Sequence, residues 1–277
     1  MDFGFLRREY QAQPLLKQQL AENPVDQLLR WIQEATNLGV VESNAMFLST
    51  ASASGQPSGR IVLLKKVDDR GLQFFTNYHS RKARELFENP HASASFYWQR
   101  MERQVTVEGT VGQISAEDSA IYFASRPRSS QIAAWASPQG EPVSDRNVLR
   151  TTFEEMERKF KDQPIPPPPH WGGFRIEPNR FEFWQGAPHR LHDRFQYTKQ
   201  DNHWVIQQLA PERNAENNPP YSPHNVRRLC DVSSPSASIC SRIFSPTSPH
   251  KPRNAGIPAI EETIILLVLI QIKLVTI

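Results

Sequence analysis

The chain has 277 residues, of which 38% are apolar, and it carries 23 prolines against 12 glycines. So low an apolar fraction indicates that part of the chain does not join a packed core. The net charge of +3 gives no reason to expect a nucleic-acid partner, since nucleic-acid binders concentrate basic residues on one face. Cys230 and Cys240 both come late, which excludes a disulfide framework for the main body and, with no signal-peptide pattern at residues 1–19, predicts a cytoplasmic protein.

The first part of the chain predicts one helix and then short strands. Asn23 suits an N-cap and Pro24 the first helical position, and Gly39 suits the end of the helix. Apolar residues recur between them at helical spacing: Val25, Leu28, Leu29 and Ile32. Strands are predicted at 45–50, 60–65 and 72–77. Because no helix separates these strands, they favour an antiparallel meander or barrel over a parallel sheet.

The rest of the body continues in the same mixed pattern. Ser80 is predicted to cap a short helix, and strands follow at 92–98 and 104–114, with Gly109 as a candidate bulge. Helices are predicted at 115–125, 130–135 and 145–160, before four strands at 171–177, 180–184, 190–198 and 203–209. The fold class is therefore mainly β with α, that is, α+β.

Residues 212–277 differ in character from the body. Residues 212–256 are rich in Pro, Ser, Asn and Arg and cannot bury enough surface to offset chain entropy, so the segment is predicted to be disordered. The apolar end, residues 264–277, is too short to span a membrane. No membrane association is expected.

Familiar cofactor and metal motifs are missing from the sequence. It contains no G-x-G-x-x-G, no G-x-x-x-x-G-K-[ST], no H-E-x-x-H and no C-x-x-C, which argues against a Rossmann site, a P-loop and a standard zinc site. No metal is predicted. A phosphorylated ligand would have to be held largely by side chains.

Three groups of residues have the chemistry to hold anions. Arg60 and Lys65 bracket a strand, and Ser80-Arg81-Lys82 lies at a helix start, where N–H groups attract anions; ordinary surface charges are the alternative. Tyr122, Arg126 and Ser130 are spaced by four, with Pro127 turning the chain, and an amphipathic helix end explains them equally well. Arg190, His192 and Arg194 would share one strand face, where aligned cations are costly without an anionic partner.

Several blocks, in this order, resemble the pyridoxine (pyridoxamine) 5′-phosphate oxidase family. They are L-R-R-E-Y (6–10), R-I-V-L-L-K (60–65), F-F-T-N-Y-H-S-R-K (74–82), R-Q-V-T-V-E-G (103–109), Y-F-A-S-R-P-R-S-S-Q-I (122–132), F-W-Q-G (183–186) and R-L-H-D-R (190–194). The resemblance covers residues 1–211. It implies a split β-barrel homodimer with FMN at the subunit interface.

The resemblance also assigns site residues. The positions matching FMN contacts are Arg60, Ile61, Val62, Leu63, Leu64, Lys65, Phe75, Thr76, Arg81, Lys82, Gln104, Gln139, Trp184 and Arg194. Those matching substrate contacts are Lys65, Tyr122, Arg126 and Ser130 around the phosphate, Arg190, Leu191 and His192 at the ring, and Arg7, Arg8, Glu9 and Tyr10 in an N-terminal segment. Arg190 and His192 are the implied catalytic pair.

The implied reaction oxidises C4′ of pyridoxine or pyridoxamine 5′-phosphate to give pyridoxal 5′-phosphate, with O2 as acceptor and H2O2 as product. The implied organisation is an N-terminal segment over residues 1–22 that can act as an active-site lid, an oxidase domain over 23–211, and an atypical tail over 212–277. The tail is consistent with a shifted or extended reading frame, because composition changes abruptly where the family ends.

Two departures and two alternatives accompany this interpretation. Gly140 stands where the family usually has Ser, and Gln208 where it usually has Arg. One alternative is a related split-barrel flavoprotein with another substrate. The other is a split-barrel protein that binds FMN or pyridoxal phosphate without turnover.

Overall fold

A computed structural model describes Met1, Phe3 and residues 9–201 and 203–211. The chain divides into two units, Met1–Arg213 and Asn214–Ile277, and every described residue belongs to the first. The tail of residues 212–277, with its predicted disorder, lies outside the described residues.

Helices and strands alternate irregularly along the described residues. In chain order they are α1 (Pro24–Asn37), β1 (Ala45–Ala51), β2 (Pro57–Leu63), β3 (Lys66–Asp68), β4 (Gly71–Asn77), α2 (Arg81–Glu88), β5 (His91–Trp98), β6 (Arg103–Gln113), α3 (Ala116–Ser125), α4 (Arg128–Ala136), α5 (Arg146–Lys159), β7 (Trp171–Gln185), β8 (Asp193–Gln200) and β9 (His203–Leu209).

The nine strands form one antiparallel sheet that curls into a split barrel. Its order is β2-β1-β5-β6-β7-β4-β3, and β8 and β9 extend from β7. The curl brings the end of β2 back to β4, where Lys65 N–H donates to Gln73 O at 2.9 Å. The predicted α+β barrel is thus confirmed.

The longest strand, β7, is bent where it meets β6. The sequence predicted two strands here, at 171–177 and 180–184, and that division is wrong because β7 runs through both. Gly109 pairs with Pro178 and Glu108 with Arg180, so Asn179 is the extra residue of a bulge. A bulge tolerates a proline, which has no N–H to donate. Gly109 was the predicted candidate bulge; the register shift does fall between Glu108 and Gly109, but the bulged residue is Asn179 on the partner strand β7.

An aromatic core fills the barrel. Trp31 from α1 packs edge-on against Phe183 of β7 at a centroid distance of 5.2 Å, and Leu28 and Ala35 are fully buried beside it. The helix was predicted correctly, with Asn23 Oδ1 accepting Val25 N–H at 3.0 Å. Its buried face centres on Leu28 and Trp31 rather than on Leu29, which is exposed.

A second, smaller cluster joins α3, α4 and α5 to the first residue of β7. Its buried members are Phe123, Ile132, Phe160, Ile165 and Trp171. These helices therefore pack at the end of the barrel where β4 and β7 pair.

Candidate active site

Three cations gather where β2 and β4 meet the start of α2. Arg60 comes from β2, and Arg81 and Lys82 open α2. Lys82 Nζ donates to Thr76 Oγ1 of β4 at 3.0 Å. Glu85, one turn along α2, accepts from Arg81 Nε at 2.7 Å and from Arg60 Nη2 at 3.4 Å. Arg60, Arg81 and Lys82 are called the cation cluster below.

The cation cluster carries more positive charge than the Glu85 carboxylate neutralises. Burial, followed by the charge of Arg60, lowers the pKa of Lys82 to about 8. Burial also lowers the pKa of Arg60, against the opposing effect of Glu85. An anion would relieve the cost of holding these charges together, and the dipole at the start of α2 adds to the attraction. The donor set therefore fits a phosphate group such as that of FMN.

Gln139 and Gly140 border the cation cluster. Gln139 Oε1 accepts from Thr76 Oγ1 at 3.2 Å and from Asn77 N–H at 3.4 Å. Gly140 has a φ of +90°, a backbone conformation in which a side chain is strained. Its added Cβ would lie 3.9 Å from Arg81 N, so Gly140 faces the start of α2. Serine is therefore disfavoured here by backbone conformation rather than by lack of space. Ser80 is the N-cap of α2, as predicted, but its side chain makes no capping hydrogen bond.

An aromatic stack lies at the same end of the barrel. The rings of Phe75 and Tyr122 are nearly parallel with centroids 3.8 Å apart, and Trp171 stacks 5.4 Å from Phe75. The guanidinium of Arg126 lies 4.9 Å from the Trp171 ring centroid. Arg126 Nη1 is buried and has no hydrogen-bond partner in the described structure. A buried guanidinium nitrogen without a partner is costly, so this site also fits an anion.

Arg126 stands at a sharp corner between α3 and α4. α3 ends at Ser125, and Arg126 adopts extended backbone, as expected before Pro127. Gln131 Nε2 fixes the corner by donating to the carbonyls of Phe123, Ala124 and Arg126 at 3.0–3.1 Å. Ser130 lies in the first turn of α4, on the far side of this corner. The predicted Tyr122, Arg126 and Ser130 group is therefore built from two helices and a turn.

A second group of predicted residues surrounds Trp184, near the end of β7. The ring of His192 lies 4.7 Å from that of Trp184 and 5.3 Å from that of Tyr10, and Tyr10 contacts Trp184 at 5.5 Å. His192 Nδ1 accepts Ala187 N–H at 3.1 Å, which leaves Nε2 to carry the proton of the neutral ring. Burial and the charge of Arg190 lower the pKa of His192, and Asp193 opposes them.

The strand predicted at 190–198 is wrong at its start. β8 begins at Asp193, and Arg190 belongs to a short 3₁₀ turn. His189 and Arg190 have φ values of +56° and +59°, which non-glycine residues rarely adopt and which tend to occur at functional sites. Arg190 and His192 therefore precede the strand and do not share one of its faces with Arg194, contrary to the sequence prediction. The turn, rather than strand alternation, places them.

Gln104, Trp184 and Arg194 form one row across three strands. Gln104 pairs with Trp184, and Trp184 pairs with Arg194. Arg194 is held by Glu182, whose Oε1 accepts from its Nε at 2.9 Å and from its Nη2 at 2.7 Å. These three predicted cofactor positions therefore belong to the group around Trp184 and are separate from the cation cluster.

The two groups lie at opposite ends of β7. Phe75, stacked against Tyr122, pairs with Gly173, whereas His192 contacts Trp184. Gly173 and Trp184 are eleven residues apart. At a rise of roughly 3.3 Å per residue this is about 36 Å of chain, an upper limit on the straight-line separation because β7 is bent at its bulge. That length of chain far exceeds the length of one pyridoxine phosphate molecule. Within one chain, the predicted phosphate-binding and ring-binding residues are not brought together.

The N-terminal segment is tied down beside His192. Glu102 Oε2 accepts the N–H groups of Gln11 and Ala12 at 2.8 and 2.9 Å, and Asp193 Oδ2 accepts Leu15 N–H at 2.9 Å. Tyr10 is thereby held over Trp184. Of the other predicted lid residues, Glu9 lies 4.0 Å from the exposed His189. Arg7 and Arg8 lie outside the described residues.

The remaining predicted site residues lie on β2, just after it, and in the turn before β8, and they differ in how far they are exposed. Along β2 and just after it, Ile61 is exposed, Val62 and Leu63 are half-buried and Leu64 is buried. Lys65 is exposed beside Gln73 of β4, and Leu191 is exposed in the turn before β8. Sequence reasoning missed Glu85, Glu102, Gln131 and Trp171. Only Glu85 had a local signal, its spacing of four from Arg81.

The described part of the chain offers neither a helical membrane span nor a cluster of metal ligands. No helix there has the length and apolar character that crossing a membrane requires. No set of three or more His, Cys, Asp or Glu side chains in that part is arranged to hold a metal ion.

Sequence similarity to known proteins extends over the described unit. The profile described as pyridoxamine 5′-phosphate oxidase matches residues 32–160, and the one described as the pyridoxine 5′-phosphate oxidase C-terminal dimerisation region matches residues 171–211. A pyridoxine/pyridoxamine 5′-phosphate oxidase from Crocosphaera subtropica is 50% identical over 214 residues, 76% of this chain and 100% of that protein. One from Rubrobacter xylanophilus is 49% identical over 210 residues, 76% of this chain and 97% of that protein.

Solved structures agree on the fold. PhzG from Burkholderia lata, crystallised with tetrahydrophenazine-1-carboxylic acid, matches with a TM-score of 0.68 and 31% identity, over 72% of this chain and 99% of that one. An FMN-binding, pyridoxamine 5′-phosphate oxidase-related protein from Nostoc punctiforme matches with a TM-score of 0.56 and 17% identity, over 69% and 100%; this second likeness concerns the fold alone. With the sequence matches, the chain belongs to the pyridoxine/pyridoxamine 5′-phosphate oxidase family, a family of flavin-dependent oxidoreductases.

Proposed function

We propose that this chain binds FMN and oxidises pyridoxine 5′-phosphate and pyridoxamine 5′-phosphate to pyridoxal 5′-phosphate, with O2 as acceptor. The observation that carries the proposal is the presence of two separate groups of cationic side chains at one end of the barrel, each of which fits an anion. One is the cation cluster, and the other is Arg126 with its buried, unpartnered Nη1. Two phosphates, one on the cofactor and one on the substrate, account for both sites.

The cation cluster is the proposed site for the FMN phosphate. Lys82, Arg81 and Arg60 supply charge, and Thr76 and Gln139 stand beside them with polar groups. The backbone of residues 61–65 and the ring of Phe75 would line the flavin. Gln104, Trp184 and Arg194 are the remaining proposed contacts, from the other end of the barrel. When bound, FMN supplies the two-electron acceptor at its N5 position and the reactivity toward O2.

Arg126 is the proposed centre of the substrate-phosphate site. Tyr122 stands beside it with a hydroxyl whose pKa is raised by burial, against the charge of Arg126, so this hydroxyl stays protonated and can donate. Ser130 and Lys65 are proposed to complete the site. Binding through the phosphate, remote from C4′, provides energy for orienting the reacting carbon.

The substrate ring is proposed to meet Arg190, Leu191 and His192 of a second copy of the chain. Two facts support a homodimer: the opposite placement of the two groups on β7, and the match of residues 171–211 to a dimerisation region. In such a dimer the far-end residues of one subunit complete the near-end site of the other. The flavin would lie between the subunits.

His192 and Arg190 would act on the C4′ side of the substrate. The neutral ring of His192 presents Nε2–H, because Nδ1 is engaged by Ala187, and can hydrogen-bond the C4′ hydroxyl or amine. Arg190 would fix the ring from the strained turn. Oxidation of the alcohol consumes one O2 and yields H2O2 with the aldehyde; the amine additionally takes up water and releases ammonia. Tyr10 is proposed to cover this site, and Arg7, Arg8 and Glu9 to belong to the same lid. The proposed location is the cytoplasm.

A visible absorption spectrum of the purified protein tests the proposal. We expect an oxidised flavin band that bleaches on adding pyridoxine 5′-phosphate without oxygen and recovers in air. A flavin band that does not bleach would favour a related flavoprotein with another substrate or a binding protein without turnover. No flavin band after reconstitution with FMN would contradict the enzyme assignment.

A further inference from the structure

Glu85 is a buried carboxylate at the centre of the cation cluster, with a side chain only 6% exposed. Its Oε2 accepts the hydroxyls of Thr50 and Ser58, each at 2.5 Å. Its Oε1 accepts Arg81 Nε at 2.7 Å. A carboxylate held by this many donors has one orientation, because any rotation breaks several charge-assisted hydrogen bonds.

The same hydroxyls hold Arg60. Arg60 Nη1 donates to Thr50 Oγ1, and Nη2 donates to Ser58 Oγ, both at 2.5 Å. Arg60 Nη2 also lies 3.4 Å from Glu85 Oε2. Arg60 and Glu85 are therefore linked through two shared hydroxyls as well as by their charges. This network joins β1, β2 and α2 at one point.

Arg81 is held differently. Glu85 contacts only its Nε, and the Arg81 side chain is 59% exposed, so its terminal nitrogens face outward from the network. Lys82, on the other side of the helix start, is bound to Thr76 rather than to Glu85. Glu85 thus neutralises part of the charge while two positive charges remain in excess, which matches a phosphate monoester dianion.

We propose that Glu85 is a positioning residue that fixes Arg60 and Arg81 for the FMN phosphate, and that it thereby sets the preference for FMN over riboflavin. This inference rests on the proposed function, since it assigns the phosphate of FMN to the cation cluster. Glu85 itself would repel the phosphate, so its contribution comes through the two arginines. A merely structural carboxylate would stabilise the fold without distinguishing the two flavins, which differ only in the phosphate.

The test measures binding of FMN and of riboflavin to apoprotein, by quenching of flavin fluorescence. In Glu85→Gln we expect FMN affinity to fall about 10- to 100-fold, the effect of misplacing one or two charge-assisted hydrogen bonds. Riboflavin affinity should change less than about threefold, which corresponds to under 1 kcal/mol. Glu88→Gln is the matched control, because Glu88 lies exposed at the end of the same helix.

Ser58→Ala provides a milder variant should Glu85→Gln fail to fold. It removes one hydroxyl shared by Arg60 and Glu85 and should lower the FMN-to-riboflavin affinity ratio in the same direction by a smaller factor. Equal losses for both flavins, or no loss for either, would overturn the inference while leaving the oxidase proposal standing. Failure of the wild-type apoprotein to bind FMN at all would overturn both.

Discussion

Gly186 lies directly under the ring of Tyr10: a Cβ added to Gly186 would stand 2.7 Å from Tyr10 Cδ1 and 3.1 Å from Glu102 Cβ. Glu102 is the residue that ties down the backbone just after Tyr10. The lack of a side chain at Gly186 therefore leaves room for Tyr10 to pack against Trp184 and His192. Gly186 thus positions Tyr10 by its small size. Its backbone conformation does not itself require a glycine.

Gly186→Ala should displace Tyr10 and loosen the cover over His192. We expect a raised KM for pyridoxine 5′-phosphate and a loss of about 1–3 kcal/mol of unfolding free energy, as is usual for overpacking. Steady-state kinetics and denaturant unfolding measure the two effects. Gly112→Ala is the matched control, since a Cβ there meets nothing within 4 Å, and it should stay within about 0.5 kcal/mol of wild type. Equal behaviour of the two variants would contradict the role of Gly186.

Arg126→Met should remove the proposed substrate-phosphate contact. We expect KM for pyridoxine 5′-phosphate to rise about 10- to 100-fold, because a hydrogen bond to a charged group contributes roughly 1.5–3 kcal/mol. FMN affinity should be unchanged, since the cation cluster is a separate site. Arg150→Met, which changes an exposed arginine of α5, serves as the control. A parallel loss of FMN binding in Arg126→Met would show that the two anion sites are not separate.

Local features of the fold could be predicted from the sequence, and pairings between distant residues could not. The start of α1 followed from Asn23 and Pro24, since a helix start depends on neighbouring residues. The gap between the strands predicted at 171–177 and 180–184 contains Pro178, and the bulge that accommodates this proline within one continuous strand forms only when β6 pairs with β7.

In the candidate site, too, the sequence did not predict contacts between residues that are far apart along the chain. The roles of Arg126 and His192 followed from the family resemblance. Their separation did not, because it depends on the length of β7: Arg126 contacts Trp171 at one end of this strand and His192 contacts Trp184 near the other. Glu102 gave no local signal, because its partners Gln11 and Ala12 lie about 90 residues away. The turn at Arg190 depends on positive φ values at His189 and Arg190. Neither residue is a glycine, so the sequence held no sign of this turn.

FMN affinity should weaken as pH rises above 8. Lys82 has a pKa of about 8 in the free protein, and a bound phosphate favours its charged form and raises that pKa. Between the two pKa values binding takes up a proton, so Kd should rise with pH, by up to about tenfold per pH unit. Fluorescence titrations of apoprotein between about pH 7 and about pH 9.5, a range that spans the Lys82 pKa, measure this change in Kd. Lys82→Met should bind more weakly with a flat profile; an unchanged slope would exclude Lys82 as the group that titrates.

The pKa of His192 should respond in opposite directions to its two charged neighbours. Burial and Arg190 lower the pKa, whereas Asp193 raises it, so the ring is neutral above its ordinary pKa and becomes charged only at lower pH. Arg190→Met should raise the pKa, and Asp193→Asn should lower it. NMR titration of the ring, assigned by loss of its signal in His192→Gln, reports both shifts. Shifts of the same sign in the two variants would contradict this arrangement of charges around His192.

Mixing two impaired variants, Arg126→Met and His192→Gln, should restore activity if the site is shared between subunits, when it is assayed at a pyridoxine 5′-phosphate concentration well below the raised KM of Arg126→Met. Arg126→Met removes a residue of the proposed substrate-phosphate group, at one end of β7. His192→Gln removes a residue of the group around Trp184, at the other end. In a heterodimer of the two, one site carries both changes and the other site carries neither. Random exchange makes half of the dimers mixed, each with one intact site, so activity should recover to about a quarter of wild type, as the two-fold symmetry of a dimer requires. If Arg126 and His192 of the same subunit served one site, every site in the mixture would carry a change and no activity would return.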